Sequence, residues 1–266
     1  MERETVETIR EAVRETYGKI AEGKQAGCGC SSTGCCSAPE PDPASVAYAL
    51  GYGEADVTGV PDGANLGLGC GNPQAIASLK PGEVVLDLGS GAGFDCFLAS
   101  RAVGEQGRVI GVDMTAAMVS KARQHLNRSG VKNIDFRLGE IEHLPVADDS
   151  VDVIISNCVI NLSLEKEQVF RDAFRVLKPG GRVAVSDMVA FAPVPEALQS
   201  DVALHTGCLA GASLVPEIER LMHDAGFERI RITGKSGHDP VSGVPSDRTI
   251  TDYVVSASIE AVKPRS

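Results

Sequence analysis

The feature that most constrains the fold is a regular alternation of short apolar segments and amphipathic segments between residues 81 and 188. Apolar segments of this length are typical of buried strands, and the segments between them have helical periodicity. Strands that alternate with helices form a parallel sheet with helices on both faces. We predict strands over Glu83–Leu88, Arg108–Asp113, Asn133–Leu138, Val151–Ser156 and Gly180–Asp187, and helices over Phe94–Val103, Thr115–Asn127 and Glu165–Val176.

The chain before this core is less regular. Residues 1–22 are predicted to form a helix, because apolar side chains recur at intervals of three and four positions from Val6 to Ile20. Residues 23–45 are rich in Gly, Ser, Pro and Cys and are predicted to form a loop. Residues 46–80 mix short helical patterns with Gly turns.

After Pro193 the pattern predicts a helix over Pro216–Ala225 and two strands, over Arg229–Thr233 and Tyr253–Ala257, that complete the sheet. We interpret residues 190–215 and 234–250 as insertions over the active-site edge. The chain therefore divides into an N-terminal helix with a Cys-rich loop, a cofactor-binding core and a C-terminal segment that completes the sheet, over residues 1–62, 63–188 and 189–266.

Composition excludes several classes of function. The 25 basic and 36 acidic residues give a net charge of −11, so the chain lacks the basic surface expected for nucleic acid or anionic membrane. Aromatic residues make up 4% and Trp is absent, which leaves few platforms for base stacking. No apolar run approaches the roughly 20 residues of a membrane helix, and the charged N-terminus lacks a signal-peptide pattern. We expect a cytoplasmic protein without nucleic-acid or membrane partners.

A glycine-rich turn follows the first predicted strand. In LDLGSGAGFD, Asp87 lies in the strand end, and Gly89, Gly91 and Gly93 follow it. Glycine permits a tight turn and lets backbone N–H groups approach a ligand closely. Asp113 comes twenty residues after Gly93 and ends the second strand, where a carboxylate accepts the two hydroxyls of a ribose. This pattern predicts an adenosine-type ligand at the carboxyl edge of the sheet.

Two cofactor classes compete for this turn. A dinucleotide site requires G-x-G-x-x-G, but counted from Gly89 the third position is Phe94. The run D-x-G-x-G-x-G instead resembles the first motif of Rossmann-like S-adenosylmethionine methyltransferases, whose cofactor has no pyrophosphate and has a cationic end that suits Asp87. The segment LKPGGR before the fifth strand resembles the same family. A Gly-rich turn without a ligand is the alternative, and the position of Asp113 argues against it.

Eight cysteines are present, and four of them, Cys28, Cys30, Cys35 and Cys36, fall within nine residues. In a reducing compartment they are expected to be thiols, available as metal ligands or catalytic groups. Cys158 follows the fourth strand, where methyltransferases that act on amino groups of bases carry a D/N-P-P-Y-type motif. From the residues alone, Cys158 is either a soft nucleophile or ligand, or a small buried hydrophobic residue.

A wider set of segments resembles one family. GANLGLGCGNP, SNCVINLS and HTGCLAGA, together with LDLGSGAGFD and GVDM, resemble the arsenite S-adenosylmethionine methyltransferases from about Gly63 to Gly211. The resemblance implies a class I, Rossmann-like fold with a mostly parallel seven-stranded sheet. It implies methyl transfer from S-adenosylmethionine to arsenite and methylated arsenicals, with an external thiol reductant of the thioredoxin or glutathione type. Leu68 is a departure, because animal and algal members tend to have Tyr there.

The same resemblance assigns the site residues. It implies that Cys158 and Cys208 hold the acceptor arsenic and that Cys70 is their partner in redox cycling. In that family a cysteine or a vicinal pair recurs near this place, which here best matches Cys35 and Cys36. We interpret the Cys28–Cys36 cluster as a capture site that passes arsenic to the other three. An accessory thiol tract is the alternative for that cluster. The implied cofactor contacts are Asp87, Gly89, Gly91, Gly93, Asp113, Met114, Ile141, Glu142 and Asn157.

Arsenic(III) chemistry suits three cysteines on three separate segments. This soft centre takes three ligands and keeps a lone pair, so three sulfurs can surround it while the lone pair faces a methyl donor. The enzyme then contributes positioning and exclusion of water, and no general base is needed. Forming a cysteine disulfide returns the arsenic to the trivalent state, and a dithiol resets the enzyme by exchange.

The remaining residues carry weaker signals. Cys96 is expected in the core, Asn157 at the cofactor or in the turn beside it, and Tyr17 either over the cofactor or in helix packing. His205 is expected to pack locally and, less favoured, to promote the thiolate of Cys208. The other histidines are expected on the solvated surface: His125, His143, His223 and His238.

Two rival functions remain open. A methyltransferase for an organic small molecule accounts for the fold and LKPGG, but not for the separated cysteines. A thiol-based metalloid or zinc-binding protein is suggested by CGCSSTGCC, which nevertheless lacks the paired C-x-x-C spacing of a structural zinc site.

Overall fold

The computed structural model describes residues 3–24, 42–199, 201–234 and 250–265. The Cys28–Cys36 cluster, nearly all of the predicted insertion over 234–250 and His238 lie outside these residues. Within them, no helix combines the length and the apolar character that a membrane crossing requires.

A seven-stranded sheet, counted over the described residues, forms the centre of the fold. The strand order is β3-β2-β1-β4-β5-β7-β6; the first five are mutually parallel, and β7 runs antiparallel to both neighbours. This confirms the predicted mostly parallel sheet. The strands are β1 Val84–Leu88, β2 Arg108–Asp113, β3 Ile134–Leu138, β4 Val151–Asn157, β5 Leu177–Ala190, β6 Glu228–Gly234 and β7 Val254–Val262.

Two strands, β5 and β7, extend by several residues beyond their predicted bounds. LKPGG does not precede β5 as a separate turn but bulges within it, since Val151 pairs with Leu177 while Val153 already pairs with Arg182. Gly180, at φ +84°, supplies the left-handed conformation of the bulge. β7 continues to Val262, and its end was missed because buried and half-buried positions alternate along it and leave no continuous apolar run.

Helices cover both faces of the sheet, as predicted. Leu86 packs in one cluster with Phe170 and Met222 of the helices that follow β4 and β5. Val85, on the opposite face, packs with Phe97 and Val119 of the helices that follow β1 and β2. Each fully buried Leu or Phe contributes roughly 1.5–3 kcal/mol to stability. The helices are α1 Arg3–Ala21, α2 Pro43–Ala49, α3 Glu54–Thr58, α4 Pro73–Ala77, α5 Phe94–Val103, α6 Ala116–Ser129, α7 Lys166–Val176, α8 Glu196–Gln199, α9 Val202–Thr206 and α10 Val215–Asp224.

The prediction that His125 lies on the solvated surface was wrong. Its side chain lies on the buried face of α6, one turn after Ala122, and the residue is 5% exposed. Nδ1 donates to the Ala92 carbonyl at 3.1 Å. Helical spacing from Met118 and Ala122 would have placed it correctly. His143 and His223 are exposed, as predicted.

The strand order reverses between β1 and β4. From β1 the chain continues outward to β2 and β3 on one side, and then returns to add β4 and β5 on the other. Their carboxyl ends therefore border a crevice that no crossover helix covers, which is where ligands bind in open α/β sheets.

Candidate active site

A cavity opens at the carboxyl ends of β1 and β4. Its walls also include helix α1, the chain between α3 and α4, and the segment after α9. Of the predicted site residues that the structure describes, all but Gly93 line this cavity. Gly93 lies behind the turn. Those that line the cavity are Cys70, Asp87, Gly89, Gly91, Asp113, Met114, Ile141, Glu142, Asn157, Cys158 and Cys208.

The glycine turn leaves space open toward the cavity. Gly91 has a φ of +51°, and a Cβ added to it would meet nothing within 4 Å. Gly89 and Gly93 also have positive φ, of +69° and +100°. A side chain at Gly91 would be strained by the backbone and would fill the space beside the turn. The turn is therefore shaped as a cradle for a ligand that approaches the backbone.

Asp113 is held at the rim of this cradle. Its Oδ2 accepts the backbone N–H of Gly91 at 2.9 Å, and its Oδ1 accepts that of Thr115 at 2.8 Å. Burial raises the pKa of this carboxyl, while these two backbone donors act in the opposite direction. Each carboxylate oxygen keeps a further lone pair, so the half-buried group can also accept ribose hydroxyls.

Two buried carboxylates lie beneath the turn. Asp87 is 2% exposed and Asp95 is 8% exposed. Burial, and then the charge of Asp95, raises the pKa of Asp87 well above its usual range. Burial also raises the pKa of Asp95 to about 6, although Tyr52 donates to it at 2.9 Å. Buried carboxylates favour a bound cation, because a positive charge offsets the cost of removing them from water.

These observations fit S-adenosylmethionine. The cradle at Gly91 admits a ligand close to the backbone, Asp113 can accept hydroxyls, and the buried pair Asp87 and Asp95 favours a positive charge. The residues that line the cavity beside the turn include the acids Asp87 and Asp95, which do not suit a phosphate. The set therefore suits a cationic nucleoside better than a dinucleotide.

The three separated cysteines all line the cavity. Cys70 and Cys158 are joined by a disulfide with a Cα–Cα distance of 5.8 Å. Cys208, buried, is a thiol whose Sγ donates to the backbone carbonyl of Cys158 at 2.8 Å. Three segments far apart in sequence thus place their sulfurs beside the cofactor cradle.

The backbone is strained at two of these cysteines. Cys158 has a φ of +58° and Cys208 a φ of +63°, values that cost a residue with a side chain about 1–3 kcal/mol. Such strain persists only where the surroundings enforce it. Both strained residues line the cavity, one on the turn after β4 and the other on the segment after α9.

Asp187 is a buried carboxylate beside the disulfide. One of its oxygens and the sulfurs of Cys70 and Cys158 all lie within 4.8 Å of one another. Its Oδ2 accepts the backbone N–H groups of Ile160 and Asn161, at 3.0 and 3.3 Å. Burial raises the pKa of Asp187 to about 6, against the effect of these donors. It therefore fixes the turn after β4 that presents Cys158.

Asn157 holds the loop that carries Cys70. Its side-chain oxygen accepts the backbone N–H groups of Cys70 at 3.0 Å and Gly71 at 3.3 Å, and its amide nitrogen donates to the Gly71 carbonyl at 2.9 Å. A Cβ at Gly69 would lie 2.7 Å from that nitrogen, so only glycine allows the amide to approach. Asn157 thus orders the turn, one of its two predicted roles; cofactor contact stays a prediction.

Helix α1 closes one side of the cavity. The hydroxyl of Tyr17 lies 3.8 Å from the Sγ of Cys208 and donates to the Thr206 carbonyl at 3.3 Å. Arg14 pairs with Glu140, and Arg10 lies 3.8 Å from Glu142. These ion pairs fasten α1 to the turn after β3, where the cofactor contacts Ile141 and Glu142 were predicted. Tyr17 lines the cavity and packs near Ile20, so its predicted role in helix packing is confirmed and its place over the cofactor stays a prediction.

The structure also places three residues that carried weaker signals. Cys96 is fully buried, as expected, and its Sγ donates to Asp87 at 3.2 Å. His205 is buried with Nε2 donating to the Leu162 carbonyl at 3.2 Å, and burial lowers its pKa, so local packing is confirmed. Leu68 lines the cavity and packs near Ile20.

Sequence reasoning missed Tyr52, Asp95 and Asp187. Asp95 lies inside the LDLGSGAGFD segment, and Asp187 ends the predicted fifth strand, so both could have been found as acids at carboxyl ends of strands or in the turns after them. Tyr52 lies outside the alternating core, and no local pattern indicates that it reaches Asp95.

The comparisons with known proteins agree with this geometry. A family model described as a methyltransferase domain matches residues 79–226. An arsenite methyltransferase of Halobacterium salinarum is 53% identical over 265 residues, which cover 97% of this chain and 67% of that protein. An arsenite methyltransferase of Aquipseudomonas alcaligenes is 44% identical over 171 residues, 62% of this chain and 49% of that protein. The chain thus spans about half the length of the second relative.

One solved structure combines sequence and fold similarity. The crystal structure of an arsenic(III) S-adenosylmethionine methyltransferase from Chlamydomonas reinhardtii is 34% identical to this chain and has a TM-score of 0.62. The match covers 85% of this chain and 74% of that one.

Proposed function

We propose that this chain, which belongs to the arsenite methyltransferase family, transfers methyl groups from S-adenosylmethionine to trivalent arsenic held by its own cysteines. The observation that carries the proposal is that Cys70, Cys158 and Cys208 line one cavity, with Cys70 bonded to Cys158 and the Cys208 thiol donating to the Cys158 carbonyl. A methyltransferase for an oxygen, nitrogen or carbon acceptor has no use for three converging sulfurs, whereas arsenic(III) is a soft centre that prefers them.

Acidic side chains and the backbone of the glycine turn hold the cofactor. Asp113 accepts ribose hydroxyls, the backbone at Gly91 approaches the ligand, and Asp87 with Asp95 balances positive charge. When bound, S-adenosylmethionine supplies a methyl group on a positively charged sulfur, which a soft nucleophile can displace. The residues that close the cavity, Tyr17 among them, exclude the water that would weaken these electrostatic contacts.

The cysteines position the substrate. Cys158 and Cys208 hold the arsenic, with Cys70 as third sulfur and as redox partner. Transfer of a methyl cation to the arsenic lone pair forms an As–C bond, breaks the sulfonium S–CH3 bond with S-adenosylhomocysteine as leaving group, and raises arsenic formally from the trivalent to the pentavalent state. The As–S bonds to Cys70 and Cys158 then break as the two sulfurs form one S–S bond, and the two electrons they give up return arsenic to the trivalent state. The bond between Cys70 and Cys158 supports this pairing.

A further cycle requires reduction of that disulfide. We infer that an external thiol of the thioredoxin or glutathione type attacks one of its sulfurs and is oxidised in turn. Such thiols are maintained in reducing compartments, which supports a cytoplasmic location. Methylated arsenicals are substrates for later rounds, since they keep a lone pair and need fewer protein sulfurs.

The test compares acceptor classes. Reduced protein with S-adenosylmethionine is offered arsenite or, separately, a quinone, and the products are separated by chromatography and identified by mass spectrometry. Methylated arsenicals and an unchanged quinone are expected. Methylation of the quinone alone would replace the proposal with the organic-acceptor alternative.

A further inference from the structure

The loop that presents Cys70 is fastened to the sheet by the side chains of Asn157 and Ser256. Asn157 holds the backbone N–H of Cys70 at 3.0 Å, and the hydroxyl of Ser256 donates to the backbone carbonyl of Cys70 at 2.7 Å. Asn157 ends β4 next to Cys158, while Ser256 lies in β7. The peptide units on both sides of the Cys70 Cα are therefore fixed to the sheet.

We call the contacts of Asn157 and Ser256 with the backbone of Cys70 the clamp. The position of Asn157 makes this clamp specific to the disulfide. Because it precedes Cys158 in the chain, its contacts with Cys70 and Gly71 set the Cys70 loop directly beside the second sulfur. The side-chain amide uses its oxygen for two backbone donors and its nitrogen for the Gly71 carbonyl and, at 3.2 Å, the Tyr52 hydroxyl. Its orientation is thus fixed by partners on several sides.

We propose that Asn157 and Ser256 are positioning residues that set the reduction potential of the Cys70–Cys158 pair. Cys70 and Cys158 are 88 residues apart in sequence, so their tendency to form a disulfide depends on how closely the fold holds the two thiols together. Holding a loop in place raises the effective concentration of one thiol at the other. Without the clamp, the loop gains freedom and the disulfide becomes less favourable. This inference rests on the proposed function for its purpose, because a well-placed pair accepts oxidation by pentavalent arsenic readily.

The experiment measures the dithiol–disulfide equilibrium of the full chain in glutathione buffers, without arsenic or cofactor. Two protein thiols react with one oxidised glutathione to give one protein disulfide and two reduced glutathiones. Alkylation of the remaining thiols, followed by mass spectrometry of the peptides that contain Cys70 and Cys158, reports this pair separately from the other cysteines.

Variants of both clamp residues are compared with matched controls. Asn157→Ala and Ser256→Ala are each expected to lower the equilibrium constant for disulfide formation about tenfold, which corresponds to ~30 mV for a two-electron couple. Asn72→Ala is the control in the same loop, since Asn72 bonds Gly51 and Ala75 and not Cys70. Asn72→Ala is expected to keep the wild-type equilibrium constant even if it lowers thermal stability. Ser256→Thr is expected to keep the wild-type constant because threonine retains the hydroxyl.

Two results would overturn the inference. One is a wild-type equilibrium, within twofold, in both Asn157→Ala and Ser256→Ala; the other is an equal shift in Asn72→Ala. If Asn157→Ala does not fold, the pair Ser256→Ala and Ser256→Thr decides. The measurement needs neither methyl transfer nor arsenic. Failure of the proposed function would therefore not change its outcome, and the two failures can be told apart.

Discussion

The thiol of Cys208 donates a hydrogen bond to the backbone carbonyl of Cys158 across 2.8 Å, although fifty residues separate the two cysteines. Both have left-handed backbone conformations. The contact fixes the segment after α9 against the turn after β4, so that the Cys208 thiol lies against the backbone of a residue that forms the disulfide with Cys70. This arrangement, reached by strained backbone on two segments, is the basis for placing arsenic there.

Replacement of Cys158 or Cys208 by Ser tests the acceptor pair. Each variant is expected to lose arsenite binding by more than about 100-fold, since even residues that only support ligands cost 10–100-fold when replaced. Binding is measured by calorimetry on protein reduced and freed of reductant. Cys96→Ser is the matched control, because Cys96 is buried against Asp87. Arsenite affinity near wild type in both Cys158→Ser and Cys208→Ser would place the acceptor elsewhere.

Replacement of Cys70 by Ser separates binding from redox cycling. We expect partial arsenite binding, a first methylation at most, and loss of repeated turnover on inorganic arsenite, because the disulfide with Cys158 can no longer form. Activity on an already methylated trivalent arsenical should persist. Product formation on both substrates is followed with excess dithiol. Repeated turnover of inorganic arsenite by Cys70→Ser, at the wild-type rate, is the contrary result.

Asp113→Ala tests the cofactor assignment. The loss of a carboxylate that accepts ribose hydroxyls should weaken S-adenosylmethionine binding by about 1–3 kcal/mol, the range for a hydrogen bond to a charged group. Calorimetry on the protein without arsenic gives the affinity directly. Asp224→Ala, which removes an exposed carboxylate paired with Arg220, serves as control and should leave the affinity unchanged. Equal affinities for the two variants would remove Asp113 from the site.

Cofactor affinity should depend on pH through Asp95. Burial raises the pKa of this carboxyl to about 6, so it is largely protonated at pH 5 and largely ionised at pH 7. Ionisation favours a cationic ligand, and affinity for S-adenosylmethionine should therefore rise by up to about tenfold over this interval, the ratio of the two ionised fractions. S-adenosylhomocysteine, without the sulfonium charge, should respond less.

The variant Asp95→Asn checks the origin of that pH dependence. It keeps the shape of the side chain but cannot ionise, so its affinity for S-adenosylmethionine should vary less between pH 5 and pH 7 than that of the wild type. An unchanged pH profile in Asp95→Asn would assign the dependence to another group.

Local sequence patterns predicted those features of the fold and the site that depend on residues close together in the chain. The glycine turn after β1, the acid that ends β2 and the bounds of α5 follow from spacing and strand ends, and the structure has them where they were expected. The meeting of Cys70, Cys158 and Cys208 was implied by resemblance only, because no spacing rule connects residues so far apart.

Other parts of the site depend on tertiary contacts that no local pattern contains. Arg14 forms an ion pair with Glu140, from which it is separated by 126 residues, and Ser256 in the last strand donates to the backbone of Cys70. Tyr52 reaches Asp95 from a short helix-rich segment outside the alternating core. His125 was misplaced for a different reason, since polar character was given more weight than its position on the buried face of α6.

The most direct test of the central claim is transfer of a labelled methyl group from S-adenosylmethionine to arsenite by the wild-type protein, with and without a dithiol. With dithiol, we predict labelled methylarsenicals at many turnovers per enzyme. Without it, we predict a single round at most, with the Cys70–Cys158 disulfide formed afterwards. Absence of any labelled arsenical in the presence of dithiol, from protein shown to bind S-adenosylmethionine, would contradict the account.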